Sequence, residues 1–159
     1  MTTAGVRGYN CGEMPAVAFP AANGKAHQGS TDDVRITGYL TGTARKPLFL
    51  CGEALKLLAR FPGSSVDCAM TSPPYWGHRA YSDGGIGLEE SWEEYVENLL
   101  AIIAEVNRVL KPTGSFWLNI GDSYQEKTLL GIPWRVALAM IDRQKWILRN
   151  NIVWHKVKG

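Results

Sequence analysis

The residues best suited to chemistry stand together at Thr71-Ser72-Pro73-Pro74-Tyr75-Trp76. A proline has no N–H and a locked φ, so two in succession cannot continue a sheet and hold the chain in one course. A rigid course fixes where the carbonyls point, which suits a site that must hold one small amino group. Ser72 puts a hydroxyl on one side of the prolines, and Tyr75 and Trp76 put two flat rings on the other. Such rings can stack on a planar ligand such as a nucleobase. An isolated Pro-Pro-Tyr is more simply a turn whose aromatics fill a core, so the elements around it must decide.

A short apolar run over residues 66–70 leads into the motif and reads as a buried strand, with Cys68 a small core residue. Upstream, residues 47–51 read as another strand. Residues 53–61 read as a short helix with Leu55, Leu58 and Phe61 inward, stopped by Pro62-Gly63. Strand, helix, strand is a βαβ unit and implies a parallel sheet. After the motif, residues 77–88 read as a loop holding His78, Arg79, Tyr81 and a glycine cluster. No strand directly precedes those glycines, so they are turn or mobility residues and not a dinucleotide fingerprint. Arg79 is of a type that pairs with phosphate, although a lone loop arginine is more often simply solvated.

Ser91-Trp-Glu-Glu94 is a capping-box pattern. The helix it opens carries Tyr95, Leu99, Ile102, Ile103, Val106 and Leu110 at helical spacing, a packing face ended by Lys111-Pro-Thr-Gly114. Residues 115–121 read as a buried strand that delivers Asp122 to its carboxyl end, the edge where open α/β sheets bind ligands. Pro133 suits the first turn of a further helix, with Val136, Ala137, Met140 and Ile141 inward. Residues 146–155 are strand-rich, with Asn150-Asn151 a bulge or bend. Residues 1–46 lack sustained periodicity and read as a flexible segment, with Tyr39-Leu40 a brief extended piece and His27 a solvated loop residue. The expected organisation is therefore this segment followed by one α/β part over residues 47–159.

With 159 residues, 45% apolar and 20% charged, the chain has the composition of an ordinary soluble globular domain. A net charge of +2 does not demand a basic face of the kind that grips a nucleic-acid backbone by itself. Cys11, Cys51 and Cys68 lack the paired spacing of a zinc site, so no metal is implied. No apolar run approaches the roughly 20 residues of a membrane span. The first residues carry no basic segment followed by an apolar stretch, so no secretory signal is expected and the expected compartment is the cytosol.

Taken with its surroundings, the Ser-Pro-Pro-Tyr motif resembles that of the beta-type amino DNA methyltransferases of restriction–modification systems. Further landmarks match in order between Leu48 and Lys156. They are Leu50-Cys-Gly-Glu-Ala-Leu, Gly87-Leu-Glu with Tyr95-Val-Glu-Asn-Leu, Arg108-Val-Leu-Lys-Pro-Thr-Gly, Asn119-Ile-Gly-Asp-Ser-Tyr124, Gly131-Ile-Pro-Trp134, and Leu148 through Lys156. The resemblance implies part of a Rossmann-like S-adenosylmethionine-dependent methyltransferase fold with a mostly parallel sheet. It implies methyl transfer from S-adenosylmethionine to an exocyclic amine of double-stranded DNA. Ser72 is similar to the N4-cytosine enzymes, whereas Asp is more usual at that position in N6-adenine enzymes, which remain the alternative. An RNA or protein methyltransferase of the Asn-Pro-Pro-Tyr type fits Ser72 less well.

By the same resemblance, the Pro73 carbonyl and Ser72 hydroxyl accept the amine N–H groups, with Pro74 completing the rigid motif. Tyr75 stacks on a base flipped from the duplex. Thr71, Asp122 and Glu53 are the candidates on the cofactor side, and Trp76, His78 and Arg79 those facing DNA. Each has a plainer reading: Trp76 as core, Asp122 as a turn residue after a strand, and Glu53 as an acid favouring a helix N-terminus. Two departures stand out. Glu53 occupies a place where the family usually has Asp. The Phe-x-Gly-x-Gly cofactor loop and the target-recognition region, which follow the Trp-His-Lys segment in this family, find no match here. The resemblance thus implies the N-terminal half of such an enzyme, lacking the strands of the cofactor-loop half. It would be completed by a chain carrying that loop, or else be an inactive binding or assembly fragment.

Overall fold

A computed structural model describes residues 31–42, 47–78 and 85–157, and the chain divides into two units at Glu53/Ala54. In the first unit Thr31–Thr41 forms helix α1, so Tyr39-Leu40 is helical and not extended. Ile36 on this helix is fully buried, and the Arg35 guanidinium donates to the Phe49 carbonyl at 3.4 Å. Residues 47–51 form no strand. A strand exists only through a backbone ladder, and among the described residues no ladder forms at residues 47–51. The expected βαβ unit beginning there is therefore absent. His27 and Cys11 lie outside the described residues.

The second unit begins with helix α2, Ala54–Leu58, shorter than expected, and its Leu55 faces solvent. The C-terminal end of α2 is held by Arg108, whose guanidinium donates to the Leu58 and Phe61 carbonyls at 2.8 Å each. Strand β1, Val66–Thr71, then leads through the motif to helix α3, Trp92–Val109, and directly into strand β2, Leu110–Leu118. β1 and β2 are parallel, so the βαβ unit here is β1–α3–β2. Ser91 caps α3 as its sequence pattern predicts, accepting from the Glu94 amide at 3.2 Å. The register slips between Val66 and Cys68, where Lys111-Pro-Thr-Gly114 occupies an irregular part of β2 and does not lie in a helix end. Proline, which has no amide to give a ladder, is tolerated at such a place.

The core explains the rest of the architecture. Tyr95, Val96, Leu99, Leu100 and Ile103 of α3 close on Ile132 and Val136 of helix α4, Ile132–Gln144. Phe116, Leu118 and Ile120 pack against this cluster from one face of β2 and its continuation. The other face is bare: Cys68 and Ser115 are exposed cross-strand partners, as are Met70 and Trp117. The strands are thus half-buried and not buried, and Cys68 is an exposed thiol and not a core residue. The reason is that the described sheet has two strands and one covering layer. Gly131 starts α4 with a left-handed conformation, and Pro133 lies in its first turn as expected. Of the predicted inward residues, Val136 is fully buried and Ala137, Met140 and Ile141 are partly so. Residues 146–157 form no regular element and expose Ile147, Ile152, Val153, Trp154 and Val157, so the predicted strand there is not formed. A short antiparallel hairpin, β3 Tyr124–Gln125 and β4 Thr128–Leu129, joins β2 to α4. The outcome is an α/β fold with a parallel sheet, and no described helix is long and apolar enough to cross a membrane.

Candidate active site

The carboxyl ends of β1 and β2 bring the motif and the Asn119–Ser123 turn side by side. The Asn119 amide donates to the Thr71 carbonyl at 2.9 Å and extends the ladder by one bond. The Asn119 side-chain amide lies 3.5 Å from the Ser72 hydroxyl, on the bare side of the sheet. Thr71 and Ser72 are exposed, Pro73 is buried, and Pro74, Tyr75 and Trp76 are half-buried. The prolines therefore anchor the turn while the hydroxyl faces outward.

Most carbonyls of this turn are committed. Thr71 accepts from Asn119, Pro74 from the Tyr95 hydroxyl at 2.9 Å, Tyr75 from the His78 amide at 3.2 Å, and Trp76 from the Ser123 hydroxyl at 2.6 Å. The Ser72 and Pro73 carbonyls accept no hydrogen bond from the described residues. An acceptor without a partner, next in the chain to an exposed hydroxyl, matches what an amino group with two N–H donors requires.

The Tyr75 ring lies directly over Gly121, where a Cβ would meet Cδ2 and Cε2 of the ring at 2.7 Å. Only a residue without a side chain lets the ring occupy that place. Gly87 closes the turn from the other side. Its φ of +101° is one that L residues rarely adopt, and a Cβ there would meet Pro74 at 3.1 Å. Its carbonyl accepts from the Gly77 amide, and its amide donates to the Glu89 carboxylate at 2.8 Å. The same carboxylate accepts from the Asn98 side chain at 3.1 Å, tying the returning loop to α3.

The remaining candidates take distinct places. The Trp76 ring packs against the core cluster, and its indole N–H donates to the Glu89 carbonyl at 3.1 Å, as suits a half-buried tryptophan. His78 is exposed; a ring nitrogen lies 3.2 Å from the Asp122 carbonyl, and the imidazole meets the Tyr75 ring edge-on at 6.0 Å. Asp122 Oδ1 accepts from the Ser123 amide at 2.9 Å and the Ile132 amide at 3.0 Å. It thereby caps α4 from a distance, since Gly131 has no side chain to do so, and its charge suits the helix N-terminus. Glu53 ends the first unit, whereas every other described candidate belongs to the second. Arg79 lies outside the described residues.

Tyr95, read from the sequence as part of a packing stripe, is fully buried, yet its hydroxyl serves the motif. Its burial, with the Glu89 carboxylate and Tyr75 as lesser causes, pushes the phenol up to about 12. The signal in the sequence was a tyrosine on an otherwise aliphatic stripe, because a buried hydroxyl needs a partner. Glu89, Asn119 and Gly121 carried no such signal.

Comparison with known proteins gives the family. Residues 66–159 match the family described as DNA methylase. The Type II methyltransferase M.XycI of Xanthomonas campestris pv. cyanopsidis is 42% identical over 135 residues, covering 66% of this chain and 45% of that protein. The Type II methyltransferase M.SfiI of Streptomyces fimbriatus is 45% identical over 123 residues, covering 66% of this chain and 29% of that one. Among solved structures, the PvuII DNA methyltransferase (cytosine-N4-specific) matches with a TM-score of 0.47 and 33% identity, over 58% of this chain and 32% of that one. The chain spans less than half the length of these relatives. With the family match running from the first residue of β1 through the motif and α4, the chain belongs to the DNA methylase family.

Proposed function

We propose that this chain forms the target-amine side of a DNA methyltransferase acting on the N4 amine of cytosine in double-stranded DNA, in a restriction–modification or phage setting in the cytosol. The observation that carries the proposal is a Pro73 carbonyl with no hydrogen-bond partner among the described residues, next in the chain to the exposed Ser72 at the end of β1. An exocyclic amine is a weak nucleophile because its lone pair is delocalised into the base ring. Two acceptors placed on its N–H groups favour a more tetrahedral, more nucleophilic nitrogen, and positioning supplies most of the rate. Tyr75, half-buried with its ring against Gly121, would stack on a flipped base. His78 stands at the edge of that ring, toward the DNA.

S-adenosylmethionine, when bound, supplies the electrophilic methyl group. The groups here fit its site in part. The Thr71 side chain is exposed at the strand end, and Asp122 has one carboxylate oxygen committed to backbone amides. Thr71 and the second oxygen of Asp122 would face the cofactor. The methionine end would be held by further polypeptide carrying a Phe-x-Gly-x-Gly loop. The bare sheet face at Met70 and Trp117 and the exposed apolar residues 147–157 support that reading, because uncovered strands and apolar surface of this kind mark association sites.

The test mixes the purified chain with the C-terminal half of the Xanthomonas relative, adds cofactor and duplex DNA, and analyses the nucleosides by mass spectrometry. The mixture is expected to make N4-methylcytosine and the chain alone nothing. N6-methyladenine as the sole product moves the target to adenine. No methylated nucleoside from the mixture, although the two halves bind each other, leaves a binding or assembly fragment and overturns the proposal.

A further inference from the structure

We infer that Tyr95 is a positioning residue that sets the geometry between the amine acceptor and the base-stacking ring, an inference that rests on the methyl-transfer reading above. The backbone between the Pro73 carbonyl and Tyr75 has few soft torsions. The rings of Pro73 and Pro74 lock both φ angles. Pro74 also restricts ψ of Pro73, because its Cδ crowds the preceding residue. As far as the Tyr75 Cα, the ψ angle of Pro74 is the one left open, and it decides where that atom lies relative to the Pro73 carbonyl; the Tyr75 φ and χ angles then lay the ring against Gly121. The Tyr95 hydroxyl grips the Pro74 carbonyl at 2.9 Å and so selects that angle.

The donor is itself immobile. Tyr95 is wholly buried in the first turns of α3 and packs with Val96, Leu99 and Ile132. The segment it grips is strapped at neighbouring points by the Gly77–Gly87 and Trp76–Glu89 bonds, and Glu89 is tied to Asn98 on the same helix. α3 thus serves as the jig against which the motif is set. Among the described residues the Tyr95 hydroxyl makes one hydrogen bond, and it is to the Pro74 carbonyl. Its purpose is the bond to the motif.

The test is Tyr95→Phe, which keeps the ring and removes only the donor, with the core truncation Val136→Ala as a control for lost stability. On the chain itself, the carbonyl carbon resonance of Pro74 is expected to shift, and amide exchange at Tyr75 and Gly77 to quicken about tenfold. The control should leave the Pro74 resonance in place. In the reconstituted mixture, Tyr95→Phe should lower kcat about 10- to 100-fold with KM for S-adenosylmethionine unchanged. An unmoved Pro74 resonance, or an unchanged kcat, overturns the inference. Equal losses of kcat in Tyr95→Phe and in a stability-matched Val136→Ala also overturn it, since the hydroxyl would then be merely structural. If the parent mixture transfers no methyl group, the functional reading fails on its own, and the resonance and exchange data still decide whether Tyr95 sets the motif.

Discussion

Gly121→Ala isolates the placement of the Tyr75 ring from everything else in the site. The φ of Gly121 lies outside the left-handed region, so alanine meets no backbone strain there. What it meets is the ring, with Cβ 2.7 Å from two ring carbons. Carbon atoms rest at about 3.5–4.0 Å, so the ring must retreat by roughly 1 Å. Tyr75 is half-buried and can swing outward, which keeps the cost of relief to about 1 kcal/mol. Replacing glycine also stiffens the unfolded chain and returns roughly 0.4–1 kcal/mol. The two nearly cancel, so the melting temperature should hardly move. Transfer should suffer far more, because a misplacement of about 1 Å at a reacting centre can cost on the order of 100-fold. The assay is single-turnover methyl transfer in the reconstituted mixture, beside thermal melts of the chain. A double-mutant cycle completes it: with Tyr75→Ala in place, Gly121→Ala should add almost nothing, because the ring it displaces is gone. The reasoning is refuted if Gly121→Ala transfers methyl at the parental rate, or if its loss is undiminished in the Tyr75→Ala background.

Asp122→Ala removes the acceptor for two amides at the start of α4 and should destabilise the chain by about 2 kcal/mol, whereas Asp122→Asn, which keeps an acceptor oxygen, should lose much less; denaturant titration separates the two. Tyr95 gives a pH signature. Its folded value is raised from 10.0 to about 12, so its contribution is intact below pH 10 and falls away as pH climbs from there toward 12. A shift of this size corresponds to roughly 3 kcal/mol at most, and the alkaline fall in melting temperature should be visibly shallower in Tyr95→Phe.

Local pattern alone placed the elements that carry their own signals. The serine cap and apolar stripe of α3, the proline-started α4, and the strand running into two prolines are all written in adjacent residues. The motif itself was legible for the same reason: its rigidity comes from covalent rings and needs no neighbour. Residues 47–51 and 146–155 form no strand despite their apolar composition, because composition is only a capacity for strand. The ladder bonds that make one must come from another segment, and no described segment supplies them. Cys68 went from core to surface for a related reason. Which face of a strand is covered depends on what packs there, and the single covering layer took the face of Phe116 and Leu118.

The site divides along the same line. The sequence by itself determined which groups are present: a hydroxyl, a locked pair of carbonyls and a ring that can stack. Only the tertiary structure decided how they are held. Gly121 lies 46 residues from the ring it accommodates, and Tyr95 reaches across 21 residues to the Pro74 carbonyl. Asp122, expected near the chemistry, spends one oxygen on the start of α4. Such contacts leave no local period or composition to read. They arise where separate elements are forced together by burial, and the physical requirement that joins them, a partner for every buried polar group and room for every ring, acts only in three dimensions.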